Sequence, residues 1–355
     1  MKLPEFFGLD IGNHSIKVCQ VRWKGDKPEL VAIGNTSTTR GIMGSESEDH
    51  RKQLSKDVKL ARKDAGIKTD KVVVGLPEAQ IFTQLVTIPK VEDKKVEELV
   101  HWEAKKYVPI PIDEVRVDWI FLGERYIDQK PHIDIFLIAA PKNLIQRYIN
   151  IVKDAGLEPI AIETEAISTT RALWWPVQHK DNKKADLGAT DSVMILDFGA
   201  KSTDLSVVQN GSLLFSQSLV TGSDALTEAL TADFSLELQQ AEEYKRNYGL
   251  DESQLEGKIA NSLKPVMQVI VNEAKKTLDF FKSRFEKSTP RRLLLVGEGA
   301  RLPGLMMHMA SQLGIESALA DPFANVEVTG RVQSKFKQVS SVGYCVALGL
   351  SLKTG

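Results

Sequence analysis

The sequence predicts an α/β protein of two similar lobes, formed by duplication of one domain. Residues 9–15 read L-D-I-G-N-H-S, and residues 196–202 read L-D-F-G-A-K-S. Each copy follows an apolar run and precedes a β-branched run, a pattern typical of a strand that ends in a tight turn. The segment between the copies, residues 78–163, has a different pattern of apolar and polar residues. We therefore expect two matching lobes, with an α+β subdomain inserted into the first.

Composition limits the classes of protein and partner to consider. The chain has 355 residues, with 46 basic and 47 acidic side chains, so it lacks the charge excess of a nucleic-acid-binding surface. No apolar run approaches the roughly 20 residues needed to span a bilayer. The N-terminus lacks the apolar segment of a signal peptide. Cys19 and Cys345 have no zinc-ligand spacing and suit core positions. We expect a cytoplasmic protein without nucleic-acid partners or direct membrane insertion.

The first half begins with three predicted strands, a helix and a fourth strand. Lys24-Gly25-Asp26-Lys27 provides a turn between the second and third strands. The predicted ranges are 6–9, 16–21 and 29–33 for the strands, 49–65 for the helix and 71–75 for the fourth strand.

The inserted segment centres on an amphipathic helix, residues 92–107, which Pro109 and Pro111 terminate. Strands are predicted at 115–122 and 133–139, and a helix at 144–154.

The second half repeats the opening meander and then becomes helical. Strands at 193–196 and 205–208 lead to Asn210-Gly211, a strong hairpin signal, and then to a strand at 212–219. Helices follow at 223–248 and 255–285, then a strand at 292–296 and a closing helix at 342–352. A polar stretch, 177–191, suits a surface linker. The predicted domains are 1–165, joined by helix 342–352 at the hinge, and 166–341, with a helical subdomain at about 223–290.

The two repeated acids predict a metal site. Asp10 and Asp197 each stand at a strand end where a glycine turn begins. Two carboxylates facing each other repel unless a cation lies between them. Mg²⁺ suits this position because one or two carboxylates, water and phosphate oxygens complete its coordination.

The rest of each repeated phrase suits phosphate binding. Glycine lets the backbone approach a phosphate closely, and the hydroxyl groups donate hydrogen bonds. Lys17 points to the same side of its strand as Ser15 and brings a positive charge. The alternative is that either copy is only a hairpin turn, although the matched pair favours binding. The phosphate-binding candidates are Gly12, Asn13, Ser15, Lys17, Gly199, Ser202 and Thr203.

Two further segments are candidates for contacting a nucleoside. Residues 297–304 form a glycine turn after an apolar strand, and Glu242 and Lys245 share a helix face. The alternatives are that the glycine turn only joins a strand to a helix, and that the two helix residues form a solvated surface. The adenosine-binding candidates are Glu242, Lys245, Gly297, Gly299 and Ala300.

These elements, in this order, resemble the actin-like (ribonuclease H-like) nucleotide-binding superfamily. Segments 10–17 and 197–204 resemble its two phosphate motifs, and 297–303 its adenosine motif. Segment 222–249 resembles the ribose and base region of bacterial actins. Segments 162–173 and 342–352 occupy the places of the two connecting helices. The resemblance covers nearly the whole chain and implies the two-lobed actin-like fold around a nucleotide.

The insert resembles a particular family. Residues 101–111 read HWEAKKYVPIP, residues 139–145 read AAPKNLI, and 155–157 read AGL. Together these phrases resemble the PilM family of type IV pilus assembly. The resemblance implies ATP as nucleotide, docking of the N-terminal tail of a PilN-like membrane protein, and a link to the pilus motor ATPases. It implies a cytoplasmic protein held at the inner membrane by its partner. Residues 72–84 are the candidate peptide-binding region, and self-association stays open.

Hydrolysis needs a side chain that orients water. Glu163 and Glu165, at the start of the first connecting helix, are the candidates. Their alternative role is to place negative charge at a helix N-terminus. We expect ATP binding, with any hydrolysis slow and switch-like.

Two other functions are compatible with this fold. An FtsA-like bacterial actin, acting in cell division or filament formation, usually carries a membrane-binding amphipathic helix after the fold. Here residues 353–355 directly follow the hinge helix, which favours the pilus function. A metabolic kinase needs a catalytic base and a polar substrate pocket, and the insert shows no clear loop with such an acid.

Overall fold

Two β-sheets with the same strand order organise the two lobes, and a third sheet forms the insert. The computed structural model describes residues 3–39, 41–45, 47–179, 192–284 and 289–354. Most of the predicted linker, residues 177–191, lies outside the described residues.

The first lobe starts with a strand meander, followed by a helix and a strand parallel to the first. The register pairs Asp10 with Lys17 across the first hairpin. A short 3₁₀ turn, Glu78–Gln80, then leads into the insert. The elements are β1 (Phe7–Ile11), β2 (Ser15–Lys24), β3 (Lys27–Ser37), α1 (Glu48–Ala65) and β4 (Lys71–Leu76).

The insert is a three-stranded antiparallel sheet covered by one helix. Its elements are β5 (Phe82–Pro89), α2 (Asp93–Ala104), β6 (Val115–Ile127) and β7 (Lys130–Pro141). The strand order β5-β7-β6 leaves β5 and β6 at the edges. One face packs on Val100 and Ala104 of α2. Phe136 and Ile138, together with Ile120 and Leu122, belong to a cluster that includes Val193 and Ile195 of the second lobe.

The predicted insert boundary at residue 163 is wrong. After β7 the chain forms α3 (Lys142–Asp154) and β8 (Glu158–Thr164), then α4 (Glu165–His179). Strand β8 pairs in parallel with β4, from Lys71 opposite Glu158 to Leu76 opposite Thr164. The insert therefore ends at Pro141, because β8 pairs with the main sheet of the first lobe and not with the sheet of the insert. Residues 162–164, predicted to begin the connecting helix, are strand.

The second lobe repeats the first. Asn210 and Gly211 have φ values of 51° and 77°, which confirms the predicted hairpin turn. The predicted helix 223–248 is two helices, because Ser235 adopts a left-handed conformation. The elements are β9 (Ser192–Phe198), β10 (Thr203–Gln209), β11 (Ser212–Leu219), α5 (Ser223–Phe234), α6 (Leu238–Tyr248), α7 (Lys258–Arg284), β12 (Arg292–Val296), α8 (Leu305–Leu313) and β13 (Glu316–Leu319).

The sheet orders confirm the predicted duplication. The first lobe contains β3-β2-β1-β4-β8, and the second contains β11-β10-β9-β12-β13. In both, the first three strands are antiparallel and the last two run parallel to the central one. The repeated phrase thus occupies the same place in two equivalent sheets.

The chain returns to the first lobe earlier than predicted. Strand β14 (Glu327–Val328) pairs with β3, and α9 (Gly330–Phe336) follows it. Phe323 and Val326 pack with Cys19 and Leu30. The second lobe therefore ends before Phe323 rather than at residue 341, because this apolar segment completes the core under β2 and β3.

Two helices pack against each other beside the first sheet. A 3₁₀ turn, Ser341–Tyr344, leads into α10 (Cys345–Ser351), which packs against α4 and β1. Cys19 and Cys345 are both buried, as expected. Among the described residues, no helix combines the length and apolar character that a membrane crossing requires.

Candidate functional site

The repeated phrase forms the same turn in both lobes. The amide of Gly12 donates a 3.0 Å hydrogen bond to the carbonyl of Ser15, and the amide of Gly199 donates one of equal length to Ser202. A Cβ atom at Gly12 would lie 2.9 Å from the Ser15 carbonyl oxygen. Glycine is therefore required by the tightness of the turn, as well as by any ligand above it.

The two turns face one cavity of about 840 Å³ between the lobes. This volume falls within the range of small-molecule and cofactor sites. Most of the predicted site residues line it: Asp10, Gly12, Asn13, Ser15, Lys17, Glu165, Asp197, Gly199, Ser202, Glu242, Lys245, Gly297 and Gly299.

The two predicted metal-binding acids lie in the cavity and resist ionisation there. Burial raises the pKa of Asp10, with Lys17 opposing the change and Glu298 adding to it. Burial, followed by the charges of Asp204 and Asp10, raises the pKa of Asp197 to about 7. Such acids favour a cation as neighbour, because a cation offsets both burial and mutual repulsion.

The donor chemistry fits a Mg²⁺ ion shared with phosphate, but not a metal held by protein alone. In the described part of the chain, no group of three or more acid, histidine or cysteine side chains is arranged to hold an ion. Mg²⁺ commonly binds through one or two carboxylates and keeps phosphate and water ligands. Asp10 and Asp197 are the residues that would supply those carboxylates.

The residue opposite the repeated aspartate, on the strand after the turn, differs in charge between the two copies. Lys17 pairs with Asp10 across β1 and β2, whereas Asp204 occupies the equivalent position opposite Asp197. Burial, followed by Glu78, raises the pKa of Asp204 to about 7, although a hydrogen bond with Ser218 opposes the change. Sequence reasoning missed Asp204 as a site residue. The available signal was its spacing, because Asp204 follows Asp197 by seven positions, as Lys17 follows Asp10.

Only one of the two predicted catalytic glutamates reaches the cavity. Glu165, the first residue of α4, lines it, and burial together with Asp10, Asp204 and Asp197 raises its pKa well above the usual range. A raised pKa suits a group that accepts a proton from water.

The prediction that Glu163 orients water is wrong. Both of its carboxylate oxygens bind Arg171, at 2.7 and 3.0 Å, and Lys353 binds it as well. Burial alone raises the pKa of Glu163, but the charges of Arg171 and Lys353 outweigh it and hold that pKa below its usual value. The side chain therefore joins β8 to α4 and the C-terminal segment.

The predicted adenosine turn fits closely against the second repeat. Gly297 has a φ of 83°, and a Cβ atom there would lie 2.4 Å from Oδ1 of Asp197. A Cβ atom at Gly299 would lie 2.6 Å from the carbonyl oxygen of Phe198. The backbone of the turn therefore forms part of the cavity wall. Ala300 is buried and is not among the cavity-lining residues, contrary to its predicted role.

Glu242 and Lys245 line the cavity but already bind each other. Nζ of Lys245 lies 2.7 Å from Glu242, 2.8 Å from Oγ1 of Thr227 and 3.0 Å from the carbonyl oxygen of Ser223. Burial lowers the pKa of Lys245, against the influence of Glu242. These bonds position α6 against α5, so Lys245 has a structural role beside its predicted contact.

Thr203 is also placed differently from the prediction. It is fully buried, donates a 2.6 Å hydrogen bond to the carbonyl of Thr221, and is not among the cavity-lining residues. Its hydroxyl is therefore committed to the lobe and not available to a phosphate.

A contact beside the cavity joins the lobes. Nε2 of His14, in the first turn, lies 3.1 Å from Oδ2 of Asp224 in α5, and Lys201 lies 3.0 Å from the same oxygen. Burial raises the pKa of Asp224, but these two partners outweigh it and lower it to about 2. Sequence reasoning missed this pair, because 210 positions separate the two residues.

The predicted peptide-binding region divides into two parts. Val72, Val73 and Val74 are completely buried in β4, between β1 and β8, so this part of the prediction is wrong. The other part, residues 78–84, borders a second cleft of about 260 Å³ between the insert and β11.

The duplicated sheets, the paired turns and the intervening cavity define the actin-like class of nucleotide-binding folds. Within that class the chain belongs to the PilM family: the family model described as type IV pilus assembly protein PilM matches residues 8–355.

Known proteins agree with this placement. A chain of a solved PilM-PilN type IV pilus biogenesis complex is similar, with a TM-score of 0.84, 26% identity and 98% of both chains covered. Cell division protein FtsA of Enterococcus hirae is 23% identical over 90% of this chain and 79% of its own. MreB5 of Spiroplasma citri, solved with ADP bound, has a TM-score of 0.52 at 13% identity over 97% of this chain and 94% of its own, a likeness of fold alone.

Proposed function

We propose that this protein is a nucleotide-binding adaptor of the type IV pilus assembly platform. It docks the N-terminal tail of a PilN-like membrane protein and links that protein to the pilus motor ATPases. Through this partner it is held at the cytoplasmic face of the inner membrane. The observation that carries the proposal is the family match over residues 8–355, together with the likeness to the PilM-PilN complex.

The nucleotide of the proposal is ATP with Mg²⁺, bound in the cavity between the lobes. The supporting features are the paired glycine turns, the two raised-pKa acids and the buried Lys17, which brings the positive charge. Asp10 and Asp197 would hold the Mg²⁺, which neutralises phosphate charge when bound. The similar MreB5 fold, solved with ADP and with AMPPNP, supports this choice of ligand.

The protein residues act by positioning rather than by covalent chemistry. Lys17 attracts phosphate oxygens, and the two turns present backbone amides and hydroxyls to them. In this proposal Glu165, which lines the cavity, accepts a proton from water at a slow rate. ATP then acts as a switch by favouring closed-cleft states over open ones.

The peptide of the proposal occupies the second cleft, beside residues 78–84. Strand β5 is an edge strand of the insert, and β11 is an edge strand of the second lobe. Edge strands offer unpaired backbone groups to an extended peptide, while pockets between them give specificity. The cleft also borders the turn Glu78–Gln80, which the cavity shares, so the two proposed ligands would lie near one segment.

A calorimetric titration with ATP and Mg²⁺ tests the nucleotide part. We expect Asp10→Asn to lower the affinity by about tenfold or more, because a charge-assisted contact is lost. Asp26→Asn, an equal change at the exposed β2–β3 turn, is the matched control and should bind as the wild type does. No affinity in the wild type, or equal affinity in Asp10→Asn, would contradict ATP binding at this site.

A second titration tests the partner. We expect the synthetic N-terminal cytoplasmic segment of the neighbouring pilus membrane protein to bind the full chain. Absence of binding, combined with filament formation or vesicle binding by the protein alone, would favour an FtsA-like role in cell division instead. The similarity to FtsA over 90% of the chain makes this the relevant competing function.

A further inference from the structure

The second cleft has an acid at its base. Among the described residues that line it, Glu78 is present and lysine, arginine and histidine are absent. The 3₁₀ turn Glu78–Gln80 separates this cleft from the nucleotide cavity, since Pro77, Ala79 and Gln80 border the cavity while Glu78 borders the cleft. Only 4% of Glu78 is exposed to solvent, although the cleft reaches it.

The carboxylate of Glu78 is only partly satisfied. One oxygen, Oε2, accepts a long 3.4 Å hydrogen bond from the amide of Ala166. Within the described part of the chain, Oε1 has no hydrogen-bond partner by distance and angle, although the Ser216 hydroxyl on the same cleft partly offsets the burial of the carboxylate. An enclosed carboxylate oxygen without a partner is costly, so its presence beside a cleft indicates a ligand that supplies a donor.

The surroundings of Glu78 select a cation as that ligand. Glu78 raises the pKa of both Asp204 and Glu165, because three buried acids on this side of the 3₁₀ turn resist carrying negative charge together. A positively charged donor offsets this repulsion and gives Oε1 its missing hydrogen bond.

The rest of the cleft suits a cation carried on an extended chain. Ile81, Phe82 and Leu137 provide apolar surface of the kind along which the methylene stem of a long basic side chain packs. The edge strands β5 and β11 border the opening, and Oγ1 of Thr83 donates a 2.9 Å hydrogen bond to the carbonyl of Ser216 where they meet. A peptide in this opening can add to an edge while one side chain reaches Glu78.

We propose that the second cleft binds a lysine or arginine side chain of the docked peptide, and that Glu78 accepts its charged hydrogen bond. This inference rests on the proposed docking function and adds the chemistry of recognition. The partner is therefore a peptide with a basic residue at the anchoring position.

A double-mutant cycle with the full chain tests the inference. The probes are the synthetic N-terminal segment of the neighbouring pilus membrane protein and a version with each lysine and arginine replaced by glutamine. The protein variant is Glu78→Gln, which keeps the shape of the side chain, and binding is measured by calorimetry. Glu98→Gln, at an exposed position of α2 outside the cleft, is the matched control.

We expect the neutral peptide to bind the wild type and Glu98→Gln about tenfold more weakly than the basic peptide. Both peptides should bind Glu78→Gln within about twofold of each other. An equal loss in Glu78→Gln would overturn the inference, because the basic residue then acts elsewhere. Equal binding of both peptides to the wild type would overturn it as well, while leaving peptide docking intact.

Absence of binding by both peptides would overturn the docking proposal itself, together with this inference. A melting curve checks that Glu78→Gln is folded. If it is not, Glu78→Asp replaces it and keeps the charge on a shorter side chain. We then expect an intermediate discrimination between the peptides, and discrimination equal to that of the wild type would contradict the role of Glu78.

Discussion

Two glutamates two positions apart have opposite surroundings in this protein. Glu163 lies between Arg171 and Lys353, and these cations hold its pKa below the usual value. Glu165 faces the nucleotide cavity, where burial and neighbouring acids raise its pKa well above the usual range. The difference arises because Glu163 lies on β8, whereas Glu165 is the first residue of α4 and lines the cavity.

We predict that Glu163→Gln destabilises the fold without abolishing nucleotide binding. The substitution leaves Arg171 and Lys353 without their shared anion in a largely buried place, which costs about 3 kcal/mol of unfolding free energy. Urea denaturation measures the loss, and an ATP titration of the folded variant should match the wild type. A stability equal to that of the wild type would show that these ion pairs contribute nothing net.

A second prediction concerns pH. Burial raises the pKa of Glu78 from 4.5 to about 7, so the folded protein holds this proton more tightly than the unfolded chain does. The free energy of unfolding without ligands should therefore fall as pH rises from about 4.5 to about 7. One proton contributes at most about 1.4 kcal/mol per pH unit.

Urea denaturation across that pH range measures the effect. Glu78→Gln removes the titrating group and should give a shallower fall than the wild type, whereas Glu98→Gln should follow the wild type. Parallel curves for all three proteins would contradict the raised pKa of Glu78.

At the scale of elements, local sequence predicts the meanders well and the helix crossings poorly. The hairpin at Asn210-Gly211 is encoded in two adjacent residues. In contrast, α4 and α10 meet at Gly349, where a Cβ atom would lie 1.8 Å from the carbonyl oxygen of Ser168. Nothing near Gly349 in the sequence indicates that close approach, because its partner is 181 positions away (349 − 168).

We predict that Gly349→Ala lowers the unfolding free energy by about 3 kcal/mol or more, because the two helices must separate. Gly330→Ala is the matched control, since a Cβ atom at that first residue of α9 meets nothing within 4 Å. Thermal or urea denaturation compares the two. Equal stability of both variants would mean that α10 shifts without cost.

At the scale of the whole molecule, two separate sets of residues make contacts between the lobes. In one, His14 in the first turn meets Asp224 in α5. In the other, the insert sheet packs Phe136 and Ile138 onto Val193 and Ile195 of the second lobe. The insert therefore contacts both its own lobe and the second lobe.

We predict that Asp224→Asn loosens the cleft in the absence of nucleotide. The substitution removes the charge that holds His14 and Lys201, so amide hydrogen exchange in residues 12–15 and at the start of α5 should accelerate. Saturating ATP with Mg²⁺ should reduce the difference from the wild type, because a ligand at the proposed site would bridge the lobes. Unchanged exchange rates would show that the contact does not restrain the cleft.

The sequence by itself determined the duplicated architecture, the paired turns and a set of site residues most of which line the cavity. These depend on short-range features, namely strand alternation, glycine at a tight turn and the acid before it, each contained in a few adjacent residues. The resemblance of the insert was sufficient to predict the PilM family, which the family match confirms.

Only the tertiary structure decided where segments distant in sequence meet. It showed that β8 belongs to the first sheet and that the chain is back in the first lobe by Phe323. It also showed that Glu165 lines the cavity whereas Glu163 does not. It also placed Glu78 at the base of a second cleft. The physical reason is that burial, pKa and ion pairing depend on partners from other parts of the chain, and local sequence does not specify them.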